Sequence, residues 1–161
     1  MVICAYTALR WDDLAASVEV LLRGPDEPPH EVVVVVDNNP DLLERARREL
    51  HGAVVVANAA RQGLSGARNT GVANSTGDVV VFLDDDAVPA DGWLERLLAN
   101  YRDPEVMGVG GGADPVWPRH RPRWFPAEFE WVIGCSWTGL PGEVAEIRNL
   151  IGCNMSFRRE A

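Results

Sequence analysis

Three adjacent carboxylates, Asp84-Asp85-Asp86, follow directly on five apolar residues, Val79-Val80-Val81-Phe82-Leu83. Neighbouring anions repel one another, so the triplet is costly unless positive charge sits among them. A divalent cation is the usual solution, because hard cations prefer carboxylate oxygens. A solvated acidic turn is the alternative for any acidic triplet. Here the apolar run argues against it. Bounded by Gly77 and Pro89, that run predicts a strand buried on both faces of a parallel sheet. The acids then lie just past its carboxyl end, where open α/β sheets bind ligands.

Two further strand ends should converge on the same edge. Val2-Ile3-Cys4-Ala5-Tyr6 predicts a first strand ending at Ala5-Tyr6-Thr7, and the five valines Val32 to Val36 predict a second, ending at Asp37-Asn38. Ser65 is expected to cap a helix from about Gly66 to Asn74 that carries Arg68. An arginine among acids makes sense if the ligand is a nucleotide diphosphate. The cation and the guanidinium would meet phosphate oxygens, and Asp37 could accept from a base N–H. The plainer alternatives are a surface arginine at 68 and a turn residue at 37.

The positioning elements alternate. Apolar residues at Leu14, Val18, Leu21 and Leu22 predict a helix from Trp11 to Leu22, stopped by Gly24-Pro25. Asp41 to Leu50 predicts a second helix and Ala53 to Ala57 a third strand. Asp91 is expected to cap a helix carrying Trp93, Leu94, Leu97, Leu98 and Tyr101, followed by a strand over Val106 to Gly112. This alternation predicts an α/β fold with a mostly parallel sheet, right-handed crossovers and helices on both faces. The expected order is 3-2-1-4. Glu143 to Ile147 could form a short strand, and Asn149 to Phe157 should return into the sheet.

The chain has 161 residues and a formal net charge of −9, which argues against a general nucleic-acid binder. Residues 1–115 hold 19 acids against 9 arginines, whereas residues 116–161 hold 5 acids against 6 arginines. All 15 basic residues are arginine, so no mechanism needing a lysine of this chain applies. Cys4, Cys135 and Cys153 fit no metal spacing; Cys4 and Cys153 read as buried thiols, and a reducing cytosol is the natural compartment. No signal peptide or membrane-span pattern is present. The ending Phe157-Arg158-Arg159-Glu160-Ala161 reads as a helix cut short, which suggests a fragment of a longer protein.

Four segments together resemble the successive motifs of family 2 glycosyltransferases. They are Val32 to Asn38, Gly63 to Gly71, Gly77 to Pro89 and Gly152 to Arg158. The resemblance implies a GT-A fold, truncated at its carboxyl end, and inverting transfer from a nucleotide diphosphate sugar, UDP-sugars favoured. It implies residues 1–112 as the donor-binding core and residues 113–161 as the start of an acceptor-side region of the same domain. It further implies that the Ala5-Tyr6 backbone flanks the base, that Asp37 contacts it, and that Arg68 lies near the nucleotide. Asp84 would lie toward the ribose or metal, and Asp86 would coordinate Mn²⁺ or Mg²⁺ at the diphosphate. Asp85, Gly152 and Asn154 would lie near the donor sugar and acceptor. The family's general base falls beyond Ala161, so no base is assigned, and the chain alone could bind donor without turnover.

Trp117 to Trp137 holds four tryptophans and three arginines. Such a stretch suits a saccharide or polyprenyl-phosphate acceptor, or peripheral contact with the inner face of a membrane. The favoured expectation is a flap packed on the sheet, with Arg119-His120-Arg121-Arg123 facing solvent. Two other functions compete. One is a non-catalytic nucleotide-sugar-binding module. The other, more remote, is a haloacid-dehalogenase-like phosphatase, whose Asp-x-Asp-x-Val pattern Asp84 to Val88 also fits. That family places the motif on its first strand and uses a lysine.

Overall fold

Val32 to Val36 are all buried, and the sheet is built outward from them. The computed structural model describes residues 1–24 and 26–161. Pro25, half of the expected helix stop, lies outside the described residues. Strands β1 (Val2–Ala5), β2 (Val33–Val36), β3 (Val54–Ala57) and β4 (Val79–Asp84) are parallel, with β1 between β2 and β4. β5 (Gly108–Gly110) and β6 (Asn154–Arg158) complete the sheet in the order β3-β2-β1-β4-β6-β5. β6 runs antiparallel to both its neighbours. The expected order 3-2-1-4 is therefore observed, and the last segment returns into the sheet as expected, alongside β4.

The pleat sorts side chains onto two layers. Ile3, Val34, Val36, Val81 and Leu83 meet Trp11, Leu14, Val18 and Leu21 of α1 (Trp11–Arg23), Leu42 and Ala46 of α2 (Pro40–Glu49), and Leu97 of a later helix. Val2, Val33, Val35, Val80 and Phe82 face the other way, onto Ala67 and Val72 of α3 (Leu64–Ala73). Close approach of α3 depends on Gly71: a Cβ there would lie 2.3 Å from Cγ1 of Val2 in β1. Gly71→Ala should therefore lower stability by about 1–3 kcal/mol through overpacking. The urea midpoint of the purified variant checks this; an unchanged midpoint would show that α3 can lift at no cost.

Three local expectations need correction. Ser65 does not cap α3; Gly63 holds the N-cap position, and the helix begins at Leu64 because the Gly63 carbonyl accepts the first helical bond, from the Ala67 N–H at 3.0 Å. Asp91 does not cap α4 (Trp93–Ala99); Gly92, in the left-handed region at φ 67°, precedes it. Glu143 to Ile147 forms no strand: the segment is exposed, Val144 at 91%, and it makes no ladder with β5, the edge strand whose residues border the same cavity. The flap also differs from its expected packing. A 3₁₀ segment, Ala127–Ile133, leaves Phe129, Trp131, Val132 and Ile133 exposed, and Trp124 is 80% exposed. Its aromatics stack on one another instead, Phe125 meeting Trp117 and Trp124 edge-on at 5.7 and 5.8 Å. Arg121 pairs with Glu130 at 2.9 Å.

Candidate active site

The carboxyl ends of β1, β2 and β4 border a cleft of about 410 Å³, a size suited to a small-molecule ligand. Ala5 and Tyr6 line it from β1, Asp37 and Asn38 from β2, Asp84 and Asp85 from β4, and Gln62, Gly63, Leu64 and Ala67 from the start of α3.

Asp37 organises one end. Its backbone N–H donates to the Ala5 carbonyl at 2.8 Å, continuing the pairing of β1 with β2. Its Oδ1 accepts from Asn58 Nδ2 at 2.6 Å and its Oδ2 from the Gly63 N–H at 2.8 Å. Asn58 Oδ1 in turn accepts from Thr70 Oγ1 of α3 at 2.8 Å. The carboxylate thus ties the loop between β3 and α3 to the cleft, while each oxygen keeps a lone pair for a ligand N–H. Gly63 can present its N–H this way because it sits at φ 118°, a conformation only glycine adopts readily. Asn38, at φ 50°, makes the turn beside it, and Asn39 caps α2 while donating to the Tyr6 carbonyl at 3.0 Å.

The acids organise the other end. Alternation along β4 continues past Leu83, so Asp84 and Asp85 fall to opposite faces, and each meets an arginine from the layer on its side. Arg68 of α3 approaches Asp84 at 3.5 Å, donates to the Gly152 carbonyl at 2.9 Å and lies over the Phe82 ring at 5.6 Å. Arg10, at the end of the 3₁₀ turn Ala8–Arg10 before α1, donates to Asp85 Oδ1 at 2.9 Å and reaches Asp86 Oδ2 at 3.2 Å. Asp85 is 3% exposed, and its Oδ2 has no hydrogen-bond partner. Two arginines thus supply part of the positive charge that the three carboxylates call for.

Arg10 is the site residue that motif reading missed. One signal for it existed: without lysine, it is the first basic residue of the segment that must cross the sheet's carboxyl edge after β1. Asn154 departs from its expected surroundings. It is buried, its Oδ1 accepts from Trp93 Nε1 at 3.0 Å and its Nδ2 donates to the Gly112 carbonyl at 2.7 Å. The cleft lining does not include it among the described residues. Gly152 takes part through its carbonyl, which holds Arg68.

Burial raises the carboxyls of Asp84 and Asp85 above the ordinary value, against the lowering effect of Arg68 and Arg10 respectively. Burial also pushes the Cys4 thiol, on the cleft wall, up to about 12, so it is neutral. Between the ordinary carboxyl value and the raised ones, the folded chain holds more protons than the unfolded chain. Stability contributed by this pair therefore falls as pH rises through that window. Asp84→Asn should flatten the dependence of the urea midpoint on pH there; a variant profile parallel to the wild type would refute it.

The donor set suits a divalent cation that shares its coordination with a ligand. Among the described residues, no three His, Cys, Asp or Glu side chains are grouped to cage an ion unaided. Asp84 and Asp86 offer two carboxylates, and Mg²⁺-type sites commonly combine one or two carboxylates with substrate phosphates. The unpartnered Oδ2 of Asp85 shows that the charge of the cluster is incompletely satisfied by the protein alone.

Comparison with known proteins gives a consistent result. The sequence profile described as Glycosyl transferase family 2 matches residues 1–161. A glucosyl-dolichyl phosphate glucuronosyltransferase of Haloferax volcanii is 35% identical over 99% of this chain and 52% of its own length. A mannosyltransferase from Pyrobaculum calidifontis, solved with GDP-Man and Mn²⁺, is 26% identical with a TM-score of 0.62. The match covers 99% of this chain and 44% of that one. Glucosyl-3-phosphoglycerate synthase from Mycobacterium tuberculosis, solved with Mn²⁺, UDP-Glc and phosphoglyceric acid, shares the fold at 18% identity and a TM-score of 0.61. It is covered over 56% of its length, and this chain over 99%. The chain thus spans about half the length of these proteins.

Proposed function

This chain belongs to glycosyltransferase family 2, and we propose that its cleft binds the nucleotide diphosphate of a sugar donor, UDP in preference to GDP, for inverting transfer to an acceptor. The observation that carries the reading is the layout of the cleft. A carboxylate with free lone pairs, Asp37, stands at one end, and Asp84, Asp85 and Arg10 at the other; Asp86 and Arg68 adjoin that end through Arg10 and Asp84 without lining the cleft. The first suits a base N–H and the second a diphosphate.

In this reading Ala5 and Tyr6 flank the base, Asp37 accepts from it, and Arg68 faces the nucleotide's phosphate side. Asp84 and Asp86 would hold Mn²⁺ or Mg²⁺ against the diphosphate. When bound, that ion supplies Lewis-acid stabilisation of the charge growing on the leaving group. Asp85 and Gly152 border the donor sugar. Asn154 acts from behind the cleft by holding Trp93 and Gly112. Residues 1–112 would serve the donor and residues 113–161 open the acceptor side. No residue of this chain is assigned as general base.

A saccharide or polyprenyl-phosphate acceptor is supported by the printed name of the Haloferax volcanii relative. The exposed Trp124, Phe129 and Trp131 beside Arg119 and Arg123 suit peripheral contact with a membrane on the cytoplasmic side. No helix among the described residues is long and apolar enough to cross one.

Calorimetric titration with UDP and GDP, each with and without Mn²⁺, tests the proposal. Mn²⁺-dependent binding stronger for UDP is expected. Stronger binding of GDP would reverse the nucleotide assignment, and binding of neither by the folded chain would refute the donor site.

A further inference from the structure

Arg10 holds two carboxylates of the triplet, but the two contacts differ. Asp85 is buried and fixed, and it accepts from Nη1 at 2.9 Å. Asp86 is 44% exposed at its side chain and meets Nη2 at the longer distance of 3.2 Å. The Arg10 side chain is 41% exposed and lines the cleft. Arg10 is therefore anchored on one side and releasable on the other. Its releasable side meets Oδ2 of Asp86, a carboxylate oxygen that a cation would need.

We propose that Arg10 is a positioning residue that exchanges partners when donor and cation bind. Its Nη1 stays on Asp85, its Nη2 leaves Asp86 for a phosphate oxygen of the nucleotide diphosphate, and Asp86 is freed for the cation. The exchange rests on the cation-assisted donor reading above. It gives the buried Asp85 a role, that of anchoring the guanidinium through the swap. A planar fork is needed, since one group must keep its anchor while the other prong changes partner. The consequence is coupling. A cation arriving alone must displace Arg10 with nothing to receive it, and a nucleotide arriving alone meets the uncovered charge of Asp86. Arriving together, they leave every charge paired.

By linkage, UDP should then raise Mn²⁺ affinity strongly in the wild-type chain, and Mn²⁺ should raise UDP affinity by the same factor. Arg10→Gln should bind Mn²⁺ alone more tightly, by about fivefold, as expected for removal of an exposed competing ion pair. Its coupling factor should be smaller by about tenfold, within the usual range of coupling strengths. Arg10→Lys keeps the charge without the fork and should show the same reduced coupling. Mn²⁺ affinity is read from the electron paramagnetic resonance signal of free Mn²⁺, with and without saturating UDP, on full-length chains whose circular dichroism matches wild type. Coupling unchanged in Arg10→Gln, or restored in Arg10→Lys, would overturn the exchange while leaving the donor site standing. Absence of UDP binding to wild type would overturn both.

Discussion

Asp86→Ala is expected to lower the affinity for UDP in the presence of Mn²⁺ by more than about a hundredfold, since loss of even an outer-shell partner costs a metal site roughly 10–100-fold. The side chain is half in solvent, and its one ion pair among the described residues is with Arg10. Folding should therefore be unaffected, and the thermal midpoint without ligand should stay within a degree or two of wild type, since surface substitutions of this kind shift stability by only about 0.5 kcal/mol. Calorimetry reads the affinity and a thermal melt the stability. An unchanged UDP affinity in a folded Asp86→Ala chain would remove this residue from the site. A collapse of the melt would make it structural instead.

Asp37→Ala should act through a different part of the ligand. It removes the acceptor proposed for the base, and it also leaves Asn58 Nδ2 and the Gly63 N–H without their partner. Hydrogen bonds to charged groups contribute about 1.5–3 kcal/mol, so UDP affinity should fall by about thirtyfold. Affinity for inorganic diphosphate with Mn²⁺ should change by less than about threefold, because the acid cluster is untouched. The orphaned donors should lower stability by about 1–3 kcal/mol as well. Equal losses for UDP and diphosphate would mean that Asp37 shapes the cleft without meeting the base.

What could be read in advance followed the strength of the local signal. Val32 to Val36 can be little other than a buried strand, and Val79 to Leu83 running into Asp84 defines both a strand and the edge at which it ends. The order 3-2-1-4 of the parallel strands was expected and is observed, whereas the place of later strands beyond the fourth rested on the family resemblance. Arg10 carried only the weak signal of being the first basic residue after β1. Its partner lies 75 residues away, and nothing near position 10 distinguishes a cleft arginine from a surface one. Asn154 was legible as part of a motif but not in its surroundings, because its hydrogen bonds go to Trp93 and Gly112 on segments whose approach depends on the finished sheet. The N-cap position of Gly63 escaped for a related reason: the residue is held in place by Asp37, 26 residues earlier, which accepts from its N–H.

The place of β6 has a consequence for how the chain acquires its shape. Residues 154–158 lie between β4 and β5, so β5 has no hydrogen-bonded neighbour until this late segment arrives. β1 to β4 can pair as soon as they are synthesised, whereas the β4 edge beside the acids stays open through the making of some seventy further residues. Arg158 then donates to the carbonyls of Tyr101, Asp103 and Val106, and Arg159 to those of Val72 and Gly77, fastening the late strand at both sides. Long-range pairing of this kind slows folding and leaves an exposed strand edge in the meantime. Ribosome-bound chains halted before position 154 should therefore carry an assembled four-strand sheet with one sticky edge, the species most prone to aggregate during synthesis.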